Sequence, residues 1–291
     1  MEKRIFAKEE ITNLFSIVYN SKVVKMKDVI VGDEHCRGKF VNIYNKIKDD
    51  KNIRYIICVG DYFDPYNNYT LTEKLNNFNA IVAIARNDNR VKLLLGNHDI
   101  HYLIPTGEKS RISYMQFSDI NKAFVNNLDL FQLAVELGDT VVSHAGISPT
   151  WMKKWGFTSI KEINDNLVFA LNENSDKYNS DISKTIRLSL HYYEGDFSGS
   201  GDDARQSPTW IRPAALIEQA NEWNWKIQII GHTRTDTTYT KDYFLNPLNV
   251  VNYNELKFNG EVEVLNVRNS DKSVVMVDTG ENLDAYYVRE F

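Results

Sequence analysis

The sequence predicts an α/β fold built on parallel strands. Three observations carry this. Short apolar stretches alternate with segments of helical periodicity, the pattern of βαβ units. Five of the apolar stretches run straight into small residues followed by ligand-type side chains, as happens at the carboxyl ends of strands in such sheets. The 291 residues, 43% hydrophobic and 25% charged, can bury a substantial core in one large domain or two small ones.

Residues 8–20, KEEITNLFSIVYN, carry apolar residues at helical spacing and predict an amphipathic helix. KDVIVGDEH (27–35) follows as a short buried strand entering a polar loop, FVNIYNKIKD (40–49) as a helix, and RYIICVGDYFD (54–64) as a second strand and loop. Residues 71–87 read as a helix, and RVKLLLGNHD (90–99) as a third strand and loop. A longer helical region over roughly 111–137 leads to DTVVSHAG (139–146), and WKIQIIGHTRTD (225–236) repeats the strand-and-loop pattern. From about 249 the chain turns strand-like, in NVVNYNELKF, EVEVLNV, SVVMVDTG and DAYYVREF. Residues 172–210 are polar and include EGDFSGSGDDARQSP, which predicts a flexible insertion or cap. Its acidic run at 194–203 lacks the spacing and closing glutamate of an EF-hand. No stretch has the composition of a domain linker, so the whole of 1–291 is read as one domain.

A net charge of −5 and a pI near 5.7 argue against a general nucleic-acid or membrane-surface binder. Two cysteines, Cys36 and Cys58, cannot build a disulfide framework or a thiolate zinc site. With no signal-type h-region at the start and no apolar run of membrane-spanning length, a cytoplasmic protein is expected.

The five strand ends are VIVGDEH, IICVGDYFD, LLLGNHD, VVSHAG and QIIGHTR, and they hold four of the six histidines: His35, His98, His144 and His232. Any one of these motifs is common. Together they supply the carboxylates, imidazoles and amide oxygen of a two-metal centre suited to manganese, iron, zinc or magnesium.

In order, Asp33-x-His35, Gly60-Asp61-x-x-Asp64, Gly96-Asn97-His98-Asp99, His144-Ala-Gly and Gly231-His232 resemble the calcineurin-like metallophosphoesterases. The likeness is strongest to the branch of phosphoprotein phosphatases and symmetrical diadenosine tetraphosphate hydrolases, and spans about residues 28–280. LLGNHDIHYL and VVSHAGISPTW are similar to the dinucleotide hydrolases, while TWIRP (209–213) and VDTG (277–280) resemble segments of bacterial phosphatases of this group. The resemblance implies a four-layer α/β/β/α sandwich with an inserted loop or small cap. It implies two divalent metal ions, manganese foremost, with Asp33 and His35 on the first, Asp61 bridging, and Asn97, His144 and His232 on the second. The implied activity is a phosphatase-like hydrolysis of phosphate esters, in which a hydroxide held by the two metals attacks phosphorus directly. The alternatives are a dinucleoside polyphosphate hydrolase and a catalytically silent metal-containing binding protein. Expected substrates are a phosphorylated small molecule, a nucleotide or a phosphoprotein.

The resemblance implies that His98 acts beside the leaving group, oriented by Asp64; a carboxylate partner would favour the protonated ring, as a general acid needs. Arg212 is the first choice for a phosphate clamp, with Arg234 and Arg37 also placed to help. His101 reads as structural and His191 as surface or cap. Tyr62 and Phe63 read as packing rather than as a base-stacking platform. Two departures from the branch stand out, and one departure from the wider superfamily that the branch shares. Pro65 and Tyr66 follow Asp64 where an arginine and glycine are usual, Cys36 follows His35 where glycine is usual, and Arg234 stands where the wider superfamily often has a further histidine.

Overall fold

The computed structural model describes residues 25–104, 111–190, 201–235, 250–257, 261–267, 269–280 and 282–291. The helix expected over 8–20 and His191 lie outside the described residues. Two sheets form the centre. The first has the order β11-β1-β2-β3-β4, with β1 at Lys27–Val31, β2 at Ile53–Cys58, β3 at Val91–Leu94, β4 at Phe131–Gln132 and β11 at Tyr287–Glu290. Strands β1 to β4 run parallel, and β11 returns antiparallel along β1. The second sheet has the order β5-β6-β7-β10-β9-β8. Its strands are β5 Ala134–Glu136, β6 Thr140–Ser143, β7 Ile227–Ile230, β8 Val250–Lys257, β9 Glu261–Val267 and β10 Ser273–Met276. Here β6, β7 and β10 run parallel, flanked by antiparallel pairings at both edges.

Strand alternation sorts the apolar side chains into three layers of core. Ile30, Ile57 and Leu94 of the first sheet meet Val142, Ile229, Val264 and Val275 of the second, making the filling between the sheets. The alternate residues Val29, Val31, Ile56, Cys58 and Leu93 face outward onto helices α1 (Lys39–Ile47), α2 (Leu71–Asn87) and α4 (Phe117–Val125). On the far side, Ile230, Leu265, Val274 and Met276 pack against α8 (Pro213–Ile217) and the turn after it. The result is the α/β/β/α sandwich.

Local sequence explains the helix boundaries. Thr70 and Glu73 close a reciprocal capping box at the start of α2. Helix α5 (Pro149–Trp155) begins with Ser148 accepting from the Trp151 amide, has Pro149 in its first turn and ends at left-handed Gly156. The region read as one long helix over 111–137 is instead the short α4 followed by β4 and β5. Those strands exist because β4 pairs with β3 and β5 with β6, tertiary partners that outweigh local helical spacing. The segment read as an insertion or cap contains a helix, α7 (Asp181–Leu190), packed on α6 (Ile160–Leu171).

A buried charge closes the first sheet. Asp28 is fully buried and accepts two hydrogen bonds from Arg54 at 3.0 and 2.7 Å, with Arg289 of β11 at 3.3 Å. Two guanidiniums on one carboxylate offset the cost of burying it.

Candidate metal centre and active site

Six parallel strands, three from each sheet, deliver side chains to one edge of the sandwich. After β1 come Asp33 and His35, after β2 Asp61 and Asp64, and after β3 Asn97 and His98. The second sheet contributes His144 after β6, His232 after β7 and Asp278 after β10. All nine are buried or nearly so, at the switch between layers where α/β sheets hold ligands.

Each turn is tight. Among the described residues only seven non-glycine residues have positive φ, and His35 (43°), Asp61 (58°), Asp64 (56°) and His232 (61°) are four of them. Such backbone strain persists where the surroundings fix it, and it concentrates at functional sites. Glycine is needed at two points of approach: a Cβ on Gly96 would overlap Asp61 Oδ1, and one on Gly231 would overlap Asp33 Oδ1. Asp99, the last of the three polar residues in Gly-Asn-His-Asp, does not face the site's ligands. Its carboxylate accepts the Asp61, Tyr62 and Gly96 amides at 2.8, 2.9 and 2.8 Å, tying the second and third loops together.

Backbone carbonyls aim the imidazoles. His35 Nδ1 lies 3.0 Å from the Phe63 carbonyl, and His144 Nδ1 lies 2.9 Å from the Val59 carbonyl. A carbonyl only accepts, so each Nδ1 carries a proton, and in that neutral tautomer Nε2 turns a lone pair inward. Those lone pairs face the two oxygens of one carboxylate: His35 Nε2 is 3.5 Å from Asp61 Oδ2, and His144 Nε2 is 3.5 Å from Asp61 Oδ1. His144 Nε2 and His232 Nδ1 also each lie 3.0 Å from Asn97 Oδ1, and His232 Nε2 is buried without a partner. Without a cation, only a proton on the Asp61 carboxyl or on His232 Nδ1 could link these atoms. A cation between them satisfies both.

Charge points the same way. Burial, then the neighbouring Asp33, pushes the Asp61 carboxyl well above the carboxylate range. Asp278 is pushed up to about 7 by burial and again by Asp33. Burial holds the His35 and His232 rings neutral. Crowded carboxylates beside neutral imidazoles leave an excess of buried negative charge, which divalent ions would offset. Asp33, His35 and Asp61 each present a ligand atom within 4.8 Å of the others.

The Gly-Asn-His-Asp segment divides its tasks. Asn97 turns toward His144 and His232, while His98 turns toward Asp64. His98 Nδ1 is 3.0 Å from Asp64 Oδ2, His101 Nε2 is 2.7 Å from the same oxygen, and the Tyr102 hydroxyl donates to Asp64 Oδ1 at 2.6 Å. Burial raises the Asp64 carboxyl, but the hydrogen bonds from His101 and His98 outweigh it and bring it down to about 2. For His98 the balance falls the other way: burial lowers it to about 4 against the pull of Asp64. The free protein therefore holds a neutral His98 that donates from Nδ1, rather than the protonated ring expected from its carboxylate partner.

The chain matches the family model for calcineurin-like phosphoesterases over residues 26–235. It belongs to that family. No curated protein matches it significantly. Among solved structures, the cold-active protein-tyrosine phosphatase of the psychrophile Shewanella sp. is 18% identical, with a TM-score of 0.53 over 90% of this chain and 75% of its own. A mutant of a cold-active protein tyrosine phosphatase gives 17% identity and a TM-score of 0.52, over 92% and 79%. At these identities the likeness is one of fold. The calcineurin-like phosphoesterases are metal-dependent, and the edge just described is where this member gathers its ligand-type residues.

The arginines are dispersed. Arg212 Nη1 donates to the His232 carbonyl and to Thr233 Oγ1, both at 3.1 Å, and so braces the His232 loop. Trp210, two residues earlier, stands edge-on to the His232 ring at 5.7 Å. Arg37 donates to the Gly280 carbonyl, and Arg234 lies 5.4 Å from the centre of the Tyr66 ring. Tyr62 and Phe63 are fully buried against Phe78 and Phe124, so they pack the loop rather than receive a base. Sequence reading missed two residues. Asp278 sits within VDTG, noted only for its resemblance, and Arg111 sits in a polar stretch with no motif. Arg111 Nη2 is 3.0 Å from His98 Nε2.

Proposed function

We propose that this chain is a two-metal phosphoesterase acting as a phosphatase on phosphate monoesters, close to the phosphoprotein phosphatase and diadenosine tetraphosphate hydrolase branch. The observation that carries this reading is the pair of inward-facing histidine lone pairs, His35 Nε2 and His144 Nε2, at 3.5 Å from opposite oxygens of Asp61. Asp33, His35 and Asp61 would hold one ion; Asp61, Asn97, His144 and His232 would hold the other. Manganese suits this oxygen and imidazole donor set. When bound, such a pair of ions activates a water and stabilises charge on a phosphoryl group.

The chain's own residues do the rest. The carbonyls of Phe63 and Val59 fix the tautomers of His35 and His144. Asp64 fixes His98 through Nδ1, leaving Nε2 toward the substrate side. A phosphate dianion arriving there favours a proton on that nitrogen, which His98 can pass to the leaving oxygen. The chain is taken as one domain, with about 172–210 as the flexible insertion or cap that its sequence predicts.

The test is Mn²⁺-dependent product release from p-nitrophenyl phosphate, its bis ester, a phosphopeptide and diadenosine tetraphosphate. Metal-dependent turnover of the monoesters is expected. Cleavage of diadenosine tetraphosphate alone would assign the dinucleotide hydrolase instead, and no turnover with any divalent metal would refute both.

A further inference from the structure

Tyr66 stands at the mouth of the site, 52% exposed and edge-on to His35 with ring centres 5.4 Å apart. Three guanidiniums surround it: Arg111 at 3.7 Å from the ring centre, Arg234 at 5.4 Å and Arg37 at 5.7 Å. A cluster of this sign favours an anion nearby, and it also faces the buried Asp61 and Asp278. Arg111 is the one that reaches inward, its Nη2 ending 3.0 Å from His98 Nε2.

The partners of Arg111 are telling. One is a π face and the other a ring nitrogen. Among the described residues it forms no ion pair with a carboxylate, whereas Arg54, Arg86 and Arg90 each do. The ring orients the guanidinium without a paired carboxylate, although its charge reaches the buried Asp61 and partly offsets the rise that burial causes in that carboxyl. Exchanging a ring nitrogen for phosphoryl oxygens costs little and gains a charge-assisted fork. Its backbone, at φ 55°, shares the left-handed strain of His35, Asp61, Asp64 and His232.

We propose that Arg111, held over Tyr66 beside His98, grips the substrate phosphoryl group and sets a preference for dianionic monoesters over monoanionic diesters. This rests on the phosphoesterase reading above. A monoester offers three terminal oxygens, so a guanidinium can take two while the metal-ligand side takes the remainder. In a diester a second carbon substituent removes one of those oxygens and half the charge.

The test compares wild type with Arg111→Gln and Arg111→Lys, Mn²⁺-loaded, on p-nitrophenyl phosphate and bis(p-nitrophenyl) phosphate. Arg111→Gln is expected to lower kcat/KM for the monoester on the order of 10²-fold, the cost of losing one transition-state donor. The loss on the diester should be much smaller, with Arg111→Lys intermediate on the monoester. Equal losses on both substrates, or none, would overturn the proposal. Calorimetric binding of inorganic phosphate to the same proteins gives a readout independent of turnover: weaker binding to Arg111→Gln is expected, and unchanged binding overturns the assignment. If wild type binds phosphate through Arg111 yet hydrolyses neither ester, the phosphoesterase reading fails while the phosphate-gripping role stands.

Discussion

His101 holds Asp64 more closely than His98 does, at 2.7 Å against 3.0 Å on the same carboxylate oxygen. With the Tyr102 hydroxyl on the other oxygen, three donors fix one buried carboxylate, and that carboxylate fixes His98. Asp64→Asn would replace an acceptor by an NH₂ group facing donors. The expected result is a fall in kcat of about 10²–10⁴-fold, the usual worth of a positioned general acid. KM and bound metal should change little. His101→Gln, which removes one support and leaves the carboxylate, should cost less. Steady-state kinetics with metal analysis checks both.

Phe78 ties the second loop to the core. It stacks on Phe131 and meets Tyr62, Phe63 and Phe124, the first two lying between Asp61 and Asp64. Phe78→Ala should destabilise the fold by about 3–5 kcal/mol. It should also lower activity more than a remote core truncation of equal cost, because the cavity lies beneath the loop. Urea unfolding and kcat/KM measured together distinguish the two effects.

Gly96→Ala places a methyl group against Asp61 Oδ1 and the His144 ring. The expected effect is a loss of metal affinity of about 10–100-fold, as when the supports of a ligand are disturbed. The φ of Gly96 is one that alanine adopts, but the new Cβ also meets the Asp61 backbone nitrogen at 2.8 Å, so a lowered melting temperature should accompany the loss. Manganese titration by calorimetry, beside a circular dichroism melt, reads both outcomes.

The buried carboxylates give metal-stripped protein a signature in pH. Asp278 moves from its ordinary 3.8 to about 7 on folding, because of burial and then Asp33. Between those values the folded protein keeps a proton that the unfolded chain has released, so this group's contribution to stability falls as pH rises. Asp278→Asn should therefore gain stability relative to wild type as pH is raised from about 4 to about 7, and hold that gain above. Unfolding curves in chelator across that range test this; a difference that shrinks with rising pH would contradict it.

The strand ends were legible in the sequence because the chemistry of each loop follows directly on an apolar run. Asp33, Asp61, Asn97, His144 and His232 therefore announce themselves by neighbours that are also their structural supports. Asp278 follows the same rule after β10, but a single aspartate in VDTG has no second polar ligand beside it to raise the signal. Arg111 follows no rule of spacing: it stands 13 residues from His98, beyond α3 (Asn97–Leu103) and outside any motif, and only the tertiary contact reveals it. The strands β4 and β5 were hidden for a related reason: their pairing partners, β3 and β6, are tertiary neighbours that no local window contains.

Anomalous diffraction from a Mn²⁺-soaked crystal would show whether Asp61 bridges a pair of ions. Two peaks about 3.5–4 Å apart are predicted. One should lie against Asp33 and His35, the other against Asn97, His144 and His232, with Asp61 touching both. A single peak among Asp64, His98 and His101, the second cluster of ligand-type groups among the described residues, or no peak beside Asp61, would rule out the bridged pair.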